Sequence, residues 1–144
     1  MRPITSIIIH CTATPPTLDI GVDEVRQWHM SPPNNWSDIG YHYVIRRDGA
    51  VDMGRDIRVA GAHAVGHNAK SIGIALVGGV DEQNQPEMNF TDTQMDVLRH
   101  TIDSLIHAYG DVAVIGHRDL PGVNKACPCF DVHDWYYEDR ACSE

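Results

Sequence analysis

The sequence predicts an α/β (α+β) fold in which a central mixed β-sheet is flanked by about three helices. Three patterns predict it. Short β-branched runs at 4–10, 72–77 and 112–116 read as buried strands, and an Asp48-Gly49 turn signal joins a hairpin. A capped stripe of apolar residues at 3–4 spacing marks a long helix. With 144 residues and no internal repeat, low-complexity tract or Gly/Ser linker, the chain fits one domain over 1–144, with a core at about 4–137 and a short expendable tail after Tyr137.

The elements follow in order. Ile7, Ile8 and Ile9 lie in the first run, and the polar, Pro-containing segment 12–19 stops it, so His10 falls at a strand end. Val22, Val25 and Trp28 or His29 recur at helical spacing, Asp23 and Glu24 occupy the first turn where the dipole favours acids, and Pro32 and Pro33 end the helix. Segments 41–47 and 50–54 flank Asp48-Gly49, whose tolerance of positive φ suits a tight two-residue turn. Thr91-Asp92-Thr93-Gln94 is a capping box. It opens a helix carrying Met95, Leu98, Ile102, Leu105, Ile106 and Tyr109 on one stripe and stopping at Gly110. The run 112–116 leads directly into His117, and Asp131 can cap a last helix bearing Val132, Trp135 and Tyr136.

Charge excludes some functions. Eleven basic against 20 acidic residues leave a net charge of −9, a field that repels nucleic acid and anionic membranes. No segment approaches the roughly 20 apolar residues of a membrane helix, so no membrane insertion is expected. The start shows no recognisable signal peptide, which points to synthesis in the cytoplasm. In that reducing compartment Cys11, Cys127, Cys129 and Cys142 are expected to serve metal or catalytic chemistry rather than a structural disulfide.

Strong metal-ligand types lie at or just beyond strand ends: His10, His117 and the Cys127-Pro128-Cys129 segment. If the first strand and 112–116 are neighbours, the two imidazoles face each other across one rim of the sheet. Two neutral imidazoles and one thiolate suit Zn²⁺, whose catalytic sites use three protein ligands and keep a fourth position for water. Cys11 follows His10 on the strand and points to the opposite face. Cys127 and Cys129, two residues apart, can point the same way, and spacing does not choose between them. Each residue alone reads more simply as a polar strand end or a small core hydrophobe. The three together shift that balance.

Longer motifs resemble one family. Ile8-Ile9-His10-Cys11-Thr12-Ala13-Thr14, Arg26-Gln27-Trp28-His29, Asp38-Ile39-Gly40-Tyr41-His42-Tyr43, Arg47-Asp48-Gly49, Ser71-Ile72-Gly73, Gly116-His117-Arg118-Asp119 and Lys125-Ala126-Cys127-Pro128 are similar to the zinc-dependent N-acetylmuramoyl-L-alanine amidases of type 2. The match runs in order over about 7–135. The family includes phage lysozymes that are amidases, and its fold resembles the peptidoglycan recognition proteins. The resemblance implies one Zn²⁺ held by His10, His117 and Cys127, with Cys129 outside the pattern. It implies hydrolysis of the amide between the lactyl group of N-acetylmuramic acid and the L-alanine of the peptidoglycan stem peptide.

The same resemblance makes Tyr41 and Lys125 catalytic. Tyr41 would hydrogen-bond the water or the developing oxyanion, with Tyr43, one pleat along on the same face, as its competitor. Lys125 would aim an ammonium at the oxyanion. His63, within the small polar segment 61–68, matches a family histidine and is taken as substrate-binding on a rim over the cleft; a flexible glycine loop is the ordinary reading. Trp36 either stacks on substrate or anchors its own loop.

Two other functions compete: a non-catalytic peptidoglycan-binding module of the same fold, which would lack a ligand, and a cysteine hydrolase with Cys127 or Cys129 as nucleophile and His117 as base. The expected product is a monomeric endolysin of a phage or prophage that reaches the wall through holin-type lesions. Some phage members also bind RNA polymerase, a partner that the resemblance does not transfer.

Overall fold

The structure is a computed structural model that describes residues 2–138; of the expected tail, residues 139–144 with Cys142 lie outside the described residues. Five strands form one mixed sheet in the order β3-β2-β4-β1-β5. These are β1 (Ser6–Cys11), β2 (Tyr43–Ile45), β3 (Val51–Met53), β4 (Ser71–Leu76) and β5 (Ala113–Gly116). β4 lies at the centre, and β1 runs beside it, parallel to both β4 and β5, with Ile9 level with Ile74 and Gly116. β2 runs parallel to β4, and β3 closes one edge antiparallel to β2. The adjacency of β1 and β5 supplies the condition for His10 and His117 to meet.

Helix α1 (Val22–Met30) starts at Val22 and ends before Pro32, and helix α2 (Asp92–Tyr109) runs from the capping box to Gly110, as the spacing and stop signals predict. Thr91 Oγ1 accepts from Gln94 N–H at 3.0 Å, Gln94 Oε1 accepts from Thr91 N–H at 2.9 Å, and Gly110, at φ 87°, ends α2. Asp131 caps the last element as expected through Asp134 N–H, 3.0 Å away, but the turn that follows is a short, wide π-type one at Asp134–Glu138.

The hairpin differs from its prediction. Arg46 N–H donates to Ala50 O at 2.8 Å and Gly49 N–H to Arg46 O at 2.9 Å, leaving Arg47-Asp48-Gly49 as a three-residue loop with Gly49 at φ 91°. Asp48-Gly49 therefore marks a turn whose left-handed residue completes a longer loop, not a two-residue connection. The paired strands are correspondingly shorter than the runs that flank the signal.

The two faces of the sheet are unlike. Ile7, Ile9, Ile72, Ile74 and Leu76 pack with Leu98, Ile102 and Leu105 of α2 into the main core. On the opposite face Ile8 joins a small cluster with Ala64 and Leu120, while Val44 and Val77 pack with Val25 of α1 and with Ile39. Period-2 alternation sends His10 to this second face. Five-stranded order, parallel centre and one-sided α2 thus fix where the functional side chains emerge.

Candidate metal centre and its cleft

His10, near the end of β1, is 2% exposed. His117 follows β5 at once, where Asp119 Oδ2 accepts Gly116 N–H at 2.9 Å and tightens the turn. Arg118 N–H donates to Cys127 O at 2.8 Å, tying that turn to the cysteine loop, and Cys11 N–H donates to Cys127 Sγ at 3.1 Å. These backbone ties bring one ligand atom from each of His10, His117 and Cys127 within 4.8 Å of one another. The imidazole centroids of His10 and His117 stand 4.4 Å apart.

The geometry separates the cysteines. Cys127 joins the cluster, whereas Cys129 Sγ donates to Gly79 O at 3.1 Å and lies 4.0 Å from Cys11 Sγ. Cys11 packs into the α2-side core, as alternation requires. Among the described residues Cys127 Sγ makes no hydrogen bond to His117, the contact a nucleophile–base pair would need.

Electrostatics favour ligand-ready forms. Burial, followed by the neighbouring imidazoles of His63 and His117, holds His10 well below the usual imidazole range, and burial plus the Lys125 charge lowers His117. Hydrogen bonding with Cys11, through its side chain first and its N–H second, holds the Cys127 thiol below its ordinary value against the opposing effect of burial. The set therefore offers two neutral nitrogens and a readily ionised sulfur, which fits a borderline-soft divalent ion.

A cavity of about 630 Å³ opens above these residues. Tyr41 and Lys125 both line it. The Tyr41 ring lies 5.0 Å from that of His10, and burial raises its phenol, so it stays a hydrogen-bond donor at neutral pH. Tyr43 does not compete: it packs with the α2-side core, while Tyr41 packs with Val44, Ile39 and Val77 on the other face. Regular alternation fails between them because β2 begins only at Tyr43.

His63 is also misplaced by the sequence reading. It lines the cavity but is only 9% exposed and sits beneath the cleft, bonded to His10, neither on a rim over the cleft nor in a flexible loop. Trp36 both lines the cavity and packs its ring edge against His29, 4.8 Å between centroids. His29 itself was not singled out: its Nδ1 accepts Gly40 N–H at 2.9 Å, and its ring meets Tyr41 at 5.2 Å. Ser71 and Gly73 lie against His63, a placement that the Ser71-Ile72-Gly73 motif does not reveal.

Comparisons with known proteins agree with this geometry. Residues 1–130 match the family described as N-acetylmuramoyl-L-alanine amidase. The endolysin of Klebsiella phage KP32 is 45% identical over 136 residues, spanning 94% of this chain and 87% of that protein. The endolysin of Escherichia phage T7 is 43% identical over 135 residues, with the same shares. Among solved structures, the N-acetylmuramoyl-L-alanine amidase LysC from Clostridium intestinale URNW matches with a TM-score of 0.78 at 26% identity, covering 99% of this chain and 85% of that one. Drosophila PGRP-LB matches at 0.74 and 26% identity, covering 96% and 80%.

Proposed function

Since the chain belongs to the N-acetylmuramoyl-L-alanine amidase family, we propose that it cleaves the amide between the lactyl group of N-acetylmuramic acid and the L-alanine of the stem peptide, using one zinc ion held by His10, His117 and Cys127. The convergence of those three side chains on one cavity floor is the observation that carries the reading. When bound, zinc supplies Lewis acidity, polarising the scissile carbonyl and acidifying water.

The chain's own residues supply the rest. Tyr41, kept as a phenol by burial, offers an O–H donor beside His10 to the carbonyl oxygen or to the attacking water. Lys125, exposed at the cavity mouth, places an ammonium where negative charge develops on that oxygen, an interaction stronger in the transition state than in the ground state. Trp36 and the exposed Val65 give the cleft apolar walls against which sugar or peptide can lie. The same reading has a phage endolysin made in the cytoplasm and admitted to the wall through holin-type membrane lesions.

Mass spectrometry of digested sacculi tests the bond. New free amino groups on alanine, with no new reducing sugar ends, are expected; new reducing ends would overturn it. A chelator should abolish the release and added zinc restore it, and undiminished turnover by metal-free protein would remove zinc from the reaction.

A further inference from the structure

His63 is built into its place more firmly than a substrate contact requires. A Cβ at Gly73 would stand 2.6 Å from His63 Cγ, and one at Gly61 would stand 2.7 Å from its Cδ2, so the ring occupies a slot that exists only because both positions are glycine. Its backbone is clamped as well: Asn68 Oδ1 accepts from His63 N–H and Ala64 N–H, each at 2.9 Å. Both ring nitrogens have partners. Nδ1 lies 2.8 Å from His10 Nε2, and Nε2 lies 3.2 Å from Ser71 Oγ. The His63 and His10 rings meet edge-on at 85°.

We propose that His63, seated by Ser71 and the Gly61/Gly73 slot, is a positioning residue that accepts the Nε2–H of His10 and so presents His10 Nδ1 as the metal-binding lone pair. The inference rests on the metal reading of the site. Since Nε2 of His10 is engaged by His63, Nδ1 is the nitrogen left for the ion, and the hydrogen of the neutral ring must sit on Nε2. It then donates to His63 Nδ1, which places the His63 hydrogen on Nε2, from where it donates to Ser71 Oγ. One direction of donation runs from the ligand into the sheet, with no polar atom of the three left idle. A neighbour that fixes the tautomer and orientation of a ligating histidine typically accounts for roughly 10- to 100-fold in metal affinity.

The test measures zinc affinity of the full chain by competition with a chromophoric chelator, for wild type, His63→Leu, His63→Asn and Ser71→Ala. Leucine fills the slot without an acceptor and should weaken zinc binding by roughly 10- to 100-fold. Asparagine carries an oxygen near the position of Nδ1 and should recover most of that loss, which a purely space-filling role would not allow. Ser71→Ala should weaken binding several-fold while leaving the slot intact, and it carries the test if His63→Leu fails to fold. Two-bond ¹H–¹⁵N correlation of the imidazoles in zinc-loaded wild type should place the ion on His10 Nδ1 and hydrogen on Nε2. Wild-type affinity in both His63→Leu and Ser71→Ala, or metal on Nε2, overturns the positioning role while leaving the metal reading standing. Absence of zinc binding by wild type overturns both.

Discussion

The two faces of β1 and β4 obey opposite rules. Toward α2, β4 presents Ile72, Ile74 and Leu76 and β1 presents Ile7 and Ile9, all fully buried in one apolar core. Toward the cleft, the alternate positions of β4 are Ser71, Gly73 and Ala75, and β1 offers Ile8 and then His10. Large branched side chains close the first face against a helix. Small ones on the second leave space for rings from other segments, and His63 and His10 occupy it. The difference teaches that this site is made as much by side chains withheld from the sheet as by those projecting from it.

Substitutions on the two faces should therefore fail in different ways. The largest effect is expected from Cys127→Ala on the cleft side: peptide release from purified wall should fall to background, while the thermal midpoint of the metal-free protein stays close to that of metal-free wild type. Leu98→Ala on the α2 side should do the reverse. It empties part of a fully buried site and should cost about 2–5 kcal/mol of unfolding free energy by urea titration, with turnover per folded molecule unchanged. If Leu98→Ala lowered turnover of the folded fraction as well, the faces would be coupled more tightly than their packing implies. Next in size, Lys125→Ala should reduce kcat by on the order of 10²-fold with little change in stability, because the side chain is exposed. A near-normal kcat would take Lys125 out of the reaction.

The α2 face was legible in the sequence almost residue by residue. Its stripe has helical period, its cap is local chemistry at Thr91 and Gln94, and its strands are β-branched runs, all of which depend on near neighbours. His10, His117 and Cys127 could be singled out as ligand types at strand ends, but choosing Cys127 over Cys129 needed the family motif, and in the fold it depends on the long-range bonds Cys11 N–H to Cys127 Sγ and Arg118 N–H to Cys127 O. The cleft face was less legible. The run 72–77 reads as uniformly apolar unless residue size is weighed, so the slot made by Gly73 went unseen. His63 lies on an irregular segment with no period, and only the fold shows that it turns inward. Tyr41 and Tyr43 part ways for the same reason: alternation was extended across backbone that is not strand.

The smallest expected effect lies beside that slot, at His42, which is buried on the cleft side of the sheet. Its Nδ1 is 3.0 Å from Gly73 N–H, which can only donate, and its Nε2 is 2.8 Å from Val59 O, which can only accept, so the ring hydrogen sits on Nε2 even though the Arg2 guanidinium stands 3.1 Å from that nitrogen. A second proton would confront the Gly73 N–H and add charge beside Arg2 and Arg55, with only Asp56 and the Val59 carbonyl in its favour. Burial, the largest influence, and these guanidiniums hold the imidazole below its ordinary 6.5. The unfolded chain therefore takes up this proton first as pH falls. The stability involved is complete above about pH 6.5 and drains away between there and the lowered native value. His42→Asn keeps an acceptor for Gly73 N–H but cannot titrate, so the slope of unfolding free energy against pH between 6.5 and 5 should flatten by at most one proton, about 1.4 kcal/mol per pH unit. Urea titrations of metal-free wild type and variant across that window provide the comparison. Parallel slopes would mean that protonated His42 is tolerated, and that the small residues on this face leave room for solvent as well as for rings.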